Sequence, residues 1–348
     1  MFKEAVEKRI GWLLGATAFL VTVAVTPSST LDPINVPKLW VLSALAFGIS
    51  ALLISQIKTL LNKDHWPVIA SSRGVLIFMV IALLTSSAPL VQQLFGTYGR
   101  NTGLLTYFSF GTLFVGAAVA TNRGAIKPFL IGTVGALAVN SIYGLVQATG
   151  NDPIKWANPY APVIGTLGNP NFSAAFFGMG IAFALSYLVA TGIDIKYRFA
   201  SALYILIALF DIAKSDAQQG VIVSLLSVGL IGFFLIKDKF ANPVFRFSYL
   251  GLGIAVGVIG ILGTLQKGPV SSIIYKPSVT YRGDYWHAGI QMFKSHPWFG
   301  VGLDSFGDYY RSSRTLEATL RRGPSTVSNA AHNVFIDIAA TEIGRAHV

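Results

Sequence analysis

Nine apolar segments, most of near-bilayer length, run along this chain: 10–26, 39–56, 74–90, 104–120, 129–148, 171–191, 199–213, 220–236 and 248–264. A hydrocarbon core about 30 Å thick is crossed by about 20 helical residues, with a range of about 17–25. Most of the nine reach that range or nearly so, and 199–213 is the short one. Each is apolar on every side rather than along one stripe, which suits helices that meet lipid as well as one another. The expected fold is all-α: a polytopic transmembrane helical bundle of about nine to ten spans.

Charge placement gives that bundle an orientation. Hydrophobic residues make up 53% of the chain and charged residues 12%, too few to clothe a soluble domain of this length. Lys3, Lys8 and Arg9 precede the first segment; Lys58, Lys63 and Arg73 fall between the second and third. Arg123 and Lys127 lie between the fourth and fifth, Lys196 and Arg198 after the sixth, and Lys237, Lys239 and Arg246 after the eighth. The alternate connections hold one basic residue each: Lys38, Arg100, Lys155 and Lys214. Short cytoplasmic loops carry this excess of Lys and Arg, so the N-terminus is expected inside and the loop after the ninth segment outside. The formal charge of +11 is therefore no sign of a nucleic-acid surface, which would gather its basic residues on one soluble face. With no cysteine, disulfides, thiolate metal sites and cysteine nucleophiles are excluded. The first segment is followed by Ala24-Val25-Thr26-Pro27, as in a signal peptide, but it is long for one and further spans follow.

Three regions result: 1–264, the transmembrane helices; 265–331, an external loop with an amphipathic helix; and 332–348, the start of a further, truncated helix. The external loop is about sixty residues long, where connections are usually about 4–6, and so is expected to be functional. The last segment stops short of a bilayer span and carries Asp337 and Glu342, which reads as a fragment or an interfacial helix; the final four residues read as non-native.

Within the loop, Tyr281–Ser295 reads as a helix capped by Ser278 or Thr280 and stopped by Pro297. Arg282, Trp286, Gly289 and Phe293 then share one stripe. An arginine at the head of an aromatic stripe, in a first turn where the helix dipole disfavours cations, breaks two local rules at once. It is either a snorkelling side chain paired with Asp284 or a guanidinium held for a phosphate. Pro297-Trp298-Phe299-Gly300-Val301-Gly302-Leu303-Asp304-Ser305-Phe306 reads as a tight turn folding aromatics onto the membrane surface, and its Gly-x-Gly is no dinucleotide fingerprint. Arg311, Arg314, Arg321 and Arg322 follow as candidates for acceptor or headgroup contacts. His332, with Ser328 or Asn329 as cap, falls in a first helical turn whose dipole favours the neutral imidazole that a general base must be.

These motifs, taken in order, resemble the O-antigen ligase and O-antigen polymerase superfamily. The resemblance rests on Arg282…Trp286-His-Ala-Gly-Ile-Gln-Met-Phe…Pro297-Trp-Phe-Gly-Val-Gly302…Phe306 and on Ala331-His332-Asn333-Val334-Phe335. Upstream, Tyr98-Gly99-Arg100-Asn101-Thr102-Gly103 and Gly165-Thr166-Leu167-Gly168-Asn169-Pro170-Asn171-Phe172 look like that family's external loops. The resemblance implies a bacterial inner-membrane enzyme with a large periplasmic loop. Such enzymes move a glycan from undecaprenyl diphosphate to a hydroxyl of lipid A core, a growing glycan or a protein, without metal, nucleotide or other cofactor. It further implies that His332 and Arg282 are catalytic, and that Arg282, Arg100 and Lys214 hold the diphosphate. Lys214 stands where many relatives have a Ser-Arg pair, and a lysine lacks the planar fork. The alternative from another class, a glycolipid transporter or flippase, calls for ionisable residues in mid-span, and the segment centres are nearly free of them.

Overall fold

The computed structural model describes residues 4–27, 32–156 and 162–342, and among them it contains helices and no strand. The expectation about the final four residues lies outside the described residues. Each of the nine apolar segments is a helix: α1 (Glu4–Val23), α2 (Asn35–Ser55), α3 (Trp66–Thr85), α4 (Leu104–Val119), α5 (Arg123–Ala148), α6 (Pro170–Val189), α7 (Ile195–Ser215), α8 (Gln218–Lys239) and α9 (Pro243–Thr264). Four shorter elements follow that matter to the site: α10 (Pro277–Ser295), α11 (Phe306–Ser313), α12 (Leu316–Arg322) and α13 (Val334–Thr341).

Among the described residues, six helices are long and apolar enough to cross a membrane: α2, Lys63–Thr85, α5, α6, α8 and α9. The other three expected spans fall short for separate reasons. Helix α4 has 16 residues. Helix α1 opens with Glu4, Glu7, Lys8 and Arg9, and α7 carries Lys196, Arg198, Asp211 and Lys214. The expectation that 199–213 is short is corrected, because α7 has 21 residues. Its start is capped by Asp194, whose side chain accepts from the Lys196 N–H, and it ends at the left-handed Asp216. Of the apolar helices α9 makes the strongest case for lipid: Gly263 is its one buried residue, while Leu252, Ile254, Val256 and Ile261 stand exposed. A surface this apolar is stable against hydrocarbon rather than water.

The chain divides into two compact units. The first comprises 1–14, 39–127 and 262–348. One of its cores joins Ile10, Ile49, Leu53, Ile69, Val115 and Val119. The other joins Tyr285, Ala288, Met292, Val301, Phe306, Tyr310, Ala331 and Ala340, so α10, α11 and α13 wrap a common centre.

The second unit comprises 15–38 and 128–261, where α6 packs against α7 and α8 around Phe177, Ile181, Ala208 and Ile212. Here α1 and α5 touch backbone to backbone: a Cβ on Gly132 would lie 2.0 Å from the Gly15 carbonyl oxygen. Such approaches, made by small residues, are how helices associate where no hydrophobic difference drives them together. The turn before α6 is tied down by α5. Asn140 Oδ1 accepts from the N–H and hydroxyl of Thr166, and Gln147 Oε1 accepts from the N–H groups of Ile164 and Gly165. Asn169 then caps α6, with Pro170 at its first position. Asp211 is fully buried against Gly144, and neither carboxylate oxygen has a hydrogen-bond partner.

Candidate functional site

Helix α10 begins four residues earlier than its sequence suggests, because Pro277 occupies the first position, where a missing N–H costs nothing. Arg282 is thereby in the second turn, and the dipole conflict expected of it is absent. Its packed face is also not the expected stripe. Tyr285, Ala288, Gly289 and Met292 are buried, whereas Trp286 is exposed. Gly289 permits the closest approach: a Cβ there would lie 2.5 Å from Ile336 Cγ2 of α13.

His332 lies two residues before α13, not in its first turn. The cap is Asn333, whose side chain accepts from the N–H groups of Phe335 and Ile336. His332 is instead left-handed, with φ 53°, a conformation uncommon for a residue bearing Cβ. The Asp337 carboxylate holds that bend, with Oδ1 accepting from the Ala331 N–H at 2.7 Å. The imidazole is exposed and lies against the Tyr285 ring, centroid to centroid 5.3 Å. Withdrawal of solvent by the surrounding protein, and then the Arg282 charge, push its pKa below the usual histidine value. Asp337 opposes that shift and Arg100 adds to it. The neutral form expected from the helix dipole is thus favoured for other reasons.

The turn 297–306 is tight, as expected, with positive φ at Gly300, Gly302 and Asp304. Its backbone is tied to α13: the Val301 and Gly302 N–H groups donate to the Ala340 and Thr341 carbonyls at the end of that helix. This presents Asp304 to the loop 96–102. The Asp304 carboxylate accepts from Thr97 N–H (2.6 Å), Thr102 N–H (3.3 Å) and the Thr102 hydroxyl (2.8 Å), and pairs with Arg100 Nε at 3.2 Å. Arg100 Nη2 reaches Asp337 Oδ2 at 3.4 Å. One planar guanidinium therefore bridges two carboxylates, and its remaining Nη1 is buried without a partner. Burial pushes the pKa of both Asp304 and Asp337 above the usual carboxylate value, against the pull of Arg100 and the donated hydrogen bonds. Glu342, buried beside the Tyr107 hydroxyl, is pushed up to about 8 by burial, with the Tyr107 hydrogen bond working the other way.

The structure brings Arg282 and His332 into one electrostatic neighbourhood, and Arg100 joins them through Asp337. Arg282 is half-buried and has no carboxylate partner among the described residues. Asp284, its expected partner, is taken by Arg321 Nη1 at 2.7 and 2.6 Å. Lys214 belongs to the second unit, in the last turn of α7, its ammonium 5.6 Å from the Phe210 ring centroid. Three of the four loop arginines serve the fold. Arg314 donates to the carbonyls of Thr326 and Pro324, Arg321 pairs with Asp284, and Arg322 donates to the Tyr285 hydroxyl while lying 4.5 Å from the Tyr281 ring centroid. Arg311 is exposed. Sequence reasoning assigned no role to Asp304, Asp337, Tyr285 or Glu342. An aspartate inside an aromatic glycine turn and two acids in an apolar tail were the available signals.

Residues 202–341, which hold both Arg282 and His332, match the protein-family model for O-antigen ligase. This stretch is similar to the O-antigen ligase family. With the apolar helices, the match supports a multi-pass membrane protein of O-antigen ligase- or polymerase-like function. Arg100 precedes the matched residues. No curated protein matches the chain.

Proposed function

We propose that the chain transfers a glycan from undecaprenyl diphosphate to an acceptor hydroxyl at the outer face of a bacterial inner membrane, with its N-terminus cytoplasmic and the 265–331 loop periplasmic. The observation that carries this reading is a half-buried arginine without a carboxylate partner beside an exposed histidine biased towards its neutral form. The acceptor oxygen attacks the anomeric carbon, the bond from that carbon to the diphosphate oxygen breaks, and His332 takes the hydroxyl proton. Charge then grows on the departing diphosphate, where Arg282 is free to meet it with its planar fork. Arg100 offers the diphosphate its charge and the one nitrogen not held by a carboxylate, Nη1. Lys214 remains a proposed diphosphate contact on the resemblance alone, and Arg311 is the loop arginine left for acceptor or headgroup. The reading includes all nine apolar helices as membrane-embedded, and it asks for no metal or nucleotide. Ligase, polymerase and protein oligosaccharyltransferase share this chemistry and differ in the acceptor.

General-base assistance is worth about 10²–10⁴-fold in rate. In a complementation assay that scores glycan transfer in cells, His332→Ala is expected to abolish product. His296→Ala, whose ring lies against Tyr309 and the Ser295 hydroxyl instead, is expected to leave product nearly unchanged. Wild-type transfer by His332→Ala removes the mechanism.

A further inference from the structure

We propose that Asp337 is the positioning residue of His332, held in place by Arg100 and Asp304, and that it fixes the backbone bend that carries the imidazole. The inference rests on the transfer reading above. Asp337 occupies the first turn of α13, where a carboxylate is favoured by the helix dipole. From there its two oxygens divide their work: Oδ1 takes the Ala331 N–H, and Oδ2 meets Arg100. The first contact fixes the peptide immediately before His332, whose left-handed φ persists only where its surroundings over-determine it. The second ties that bend to the 96–102 loop, because Arg100 is itself held by Asp304. Asn101 and Asp304 are left-handed as well, so three such residues meet at one ion-pair triad.

The charged groups around the imidazole act in opposite senses. From α10, Arg282 disfavours its protonation, and Arg100 from the 96–102 loop does so too. Asp337 favours it. The Tyr285 ring covers one side, its hydroxyl engaged by Arg322. Asp304 and Glu342 act on Arg100 and Asp337 rather than on His332 directly. As His332 takes the acceptor proton it becomes a cation beside Arg282, and the Asp337 carboxylate is the group that makes this tolerable.

The test is a titration that needs no substrate. The full chain, labelled at histidine Cε1 and held in detergent or nanodiscs, is followed by NMR across pH, with the His332 resonance assigned by its loss in His332→Gln. Asp337→Asn keeps an acceptor for Ala331 but removes the charge. It should lower the His332 pKa by about one unit, the low end of what a nearby opposite charge contributes. Arg282→Gln should raise it. In transfer assays, the acid limb of the pH profile should move to lower pH in Asp337→Asn, with kcat reduced about tenfold and KM little changed. Asp337→Glu keeps the charge and misplaces the hydrogen bond. It should titrate near wild type yet lose transfer, and it keeps the question open to measurement if the asparagine variant does not fold. A His332 titration that ignores Asp337→Asn, or full transfer by Asp337→Glu, overturns the positioning role. Normal titration shifts in a chain whose His332→Ala variant still transfers glycan would overturn the transfer reading instead.

Discussion

Replacing Asp304 by alanine removes one carboxylate that holds four donors: Thr97 N–H, Thr102 N–H, the Thr102 hydroxyl and Arg100 Nε. The side chain is fully buried, and that of Arg100 is 24% exposed. Deleting one partner of a buried ion pair costs about 3–5 kcal/mol. Arg100 keeps Asp337 and some solvent, so the lower end applies. Each backbone N–H left dry adds about 1–3 kcal/mol, which water entering the alanine void offsets in part. A net loss of about 3 kcal/mol corresponds to roughly a hundredfold rise in local opening, at about 1.4 kcal/mol per decade. Hydrogen–deuterium exchange of the full chain in detergent, read by mass spectrometry, should show this on peptides covering 96–103. Peptides from α6, in the other unit, serve as the control. Asp304→Asn, which retains one acceptor oxygen, should fall between. If peptides 96–103 exchange at the wild-type rate in Asp304→Ala, the carboxylate is not what organises that loop.

Four further outcomes are expected. Glu342 has a folded pKa of about 8 against an ordinary 4.5, so the folded chain holds its proton where the unfolded chain has lost it. The resulting stabilisation is complete below about pH 4.5 and is lost as pH rises through about 8. Glu342→Gln should flatten the fall in thermal stability between pH 5 and 9, and an unchanged slope would assign that fall to other groups. Gly132→Leu, whose Cβ would fall 2.0 Å from the Gly15 carbonyl oxygen, should cost about 3 kcal/mol or more by overpacking, seen as loss of a monodisperse peak on size exclusion. Among the loop arginines, Arg321→Ala should lower thermal stability only slightly, because the arginine end of its pair with Asp284 is open to solvent. Arg314→Ala should speed proteolysis at 323–327, whose carbonyls it holds.

The helices were legible because apolar runs of this length have one backbone solution in lipid, and each of the nine runs is a helix. Their ends were less so. Segment 199–213 looked short because periodicity counts apolar residues, while the Asp194 cap and the turn with Lys196 and Arg198 extend the same helix in polar residues. At the site, Arg282 stood out because it broke local rules and His332 because a first-turn histidine is kept neutral by the helix dipole, yet the first turn assigned to each was wrong. Pro277 moves Arg282 out of the first turn, and Asn333 takes the cap that would have placed His332 in one. The triad was illegible for a different reason. Arg100, Asp304 and Asp337 meet only through tertiary folding, and nothing in their own neighbourhoods announces the partners.

That separation has a consequence for biosynthesis. Arg100 and Asp337 are 237 positions apart, and Thr102 and Asp304 are 202 apart. At a translation speed of about 5–20 residues per second, the guanidinium waits roughly ten to forty seconds after emerging before either acidic counterpart exists. Through that interval the nascent chain carries a naked cation on a loop that nothing yet restrains, and any message broken before codon 304 leaves it so for good. Synthesis past position 337, rather than insertion of the apolar helices before it, is therefore the event that closes the triad of Arg100, Asp304 and Asp337.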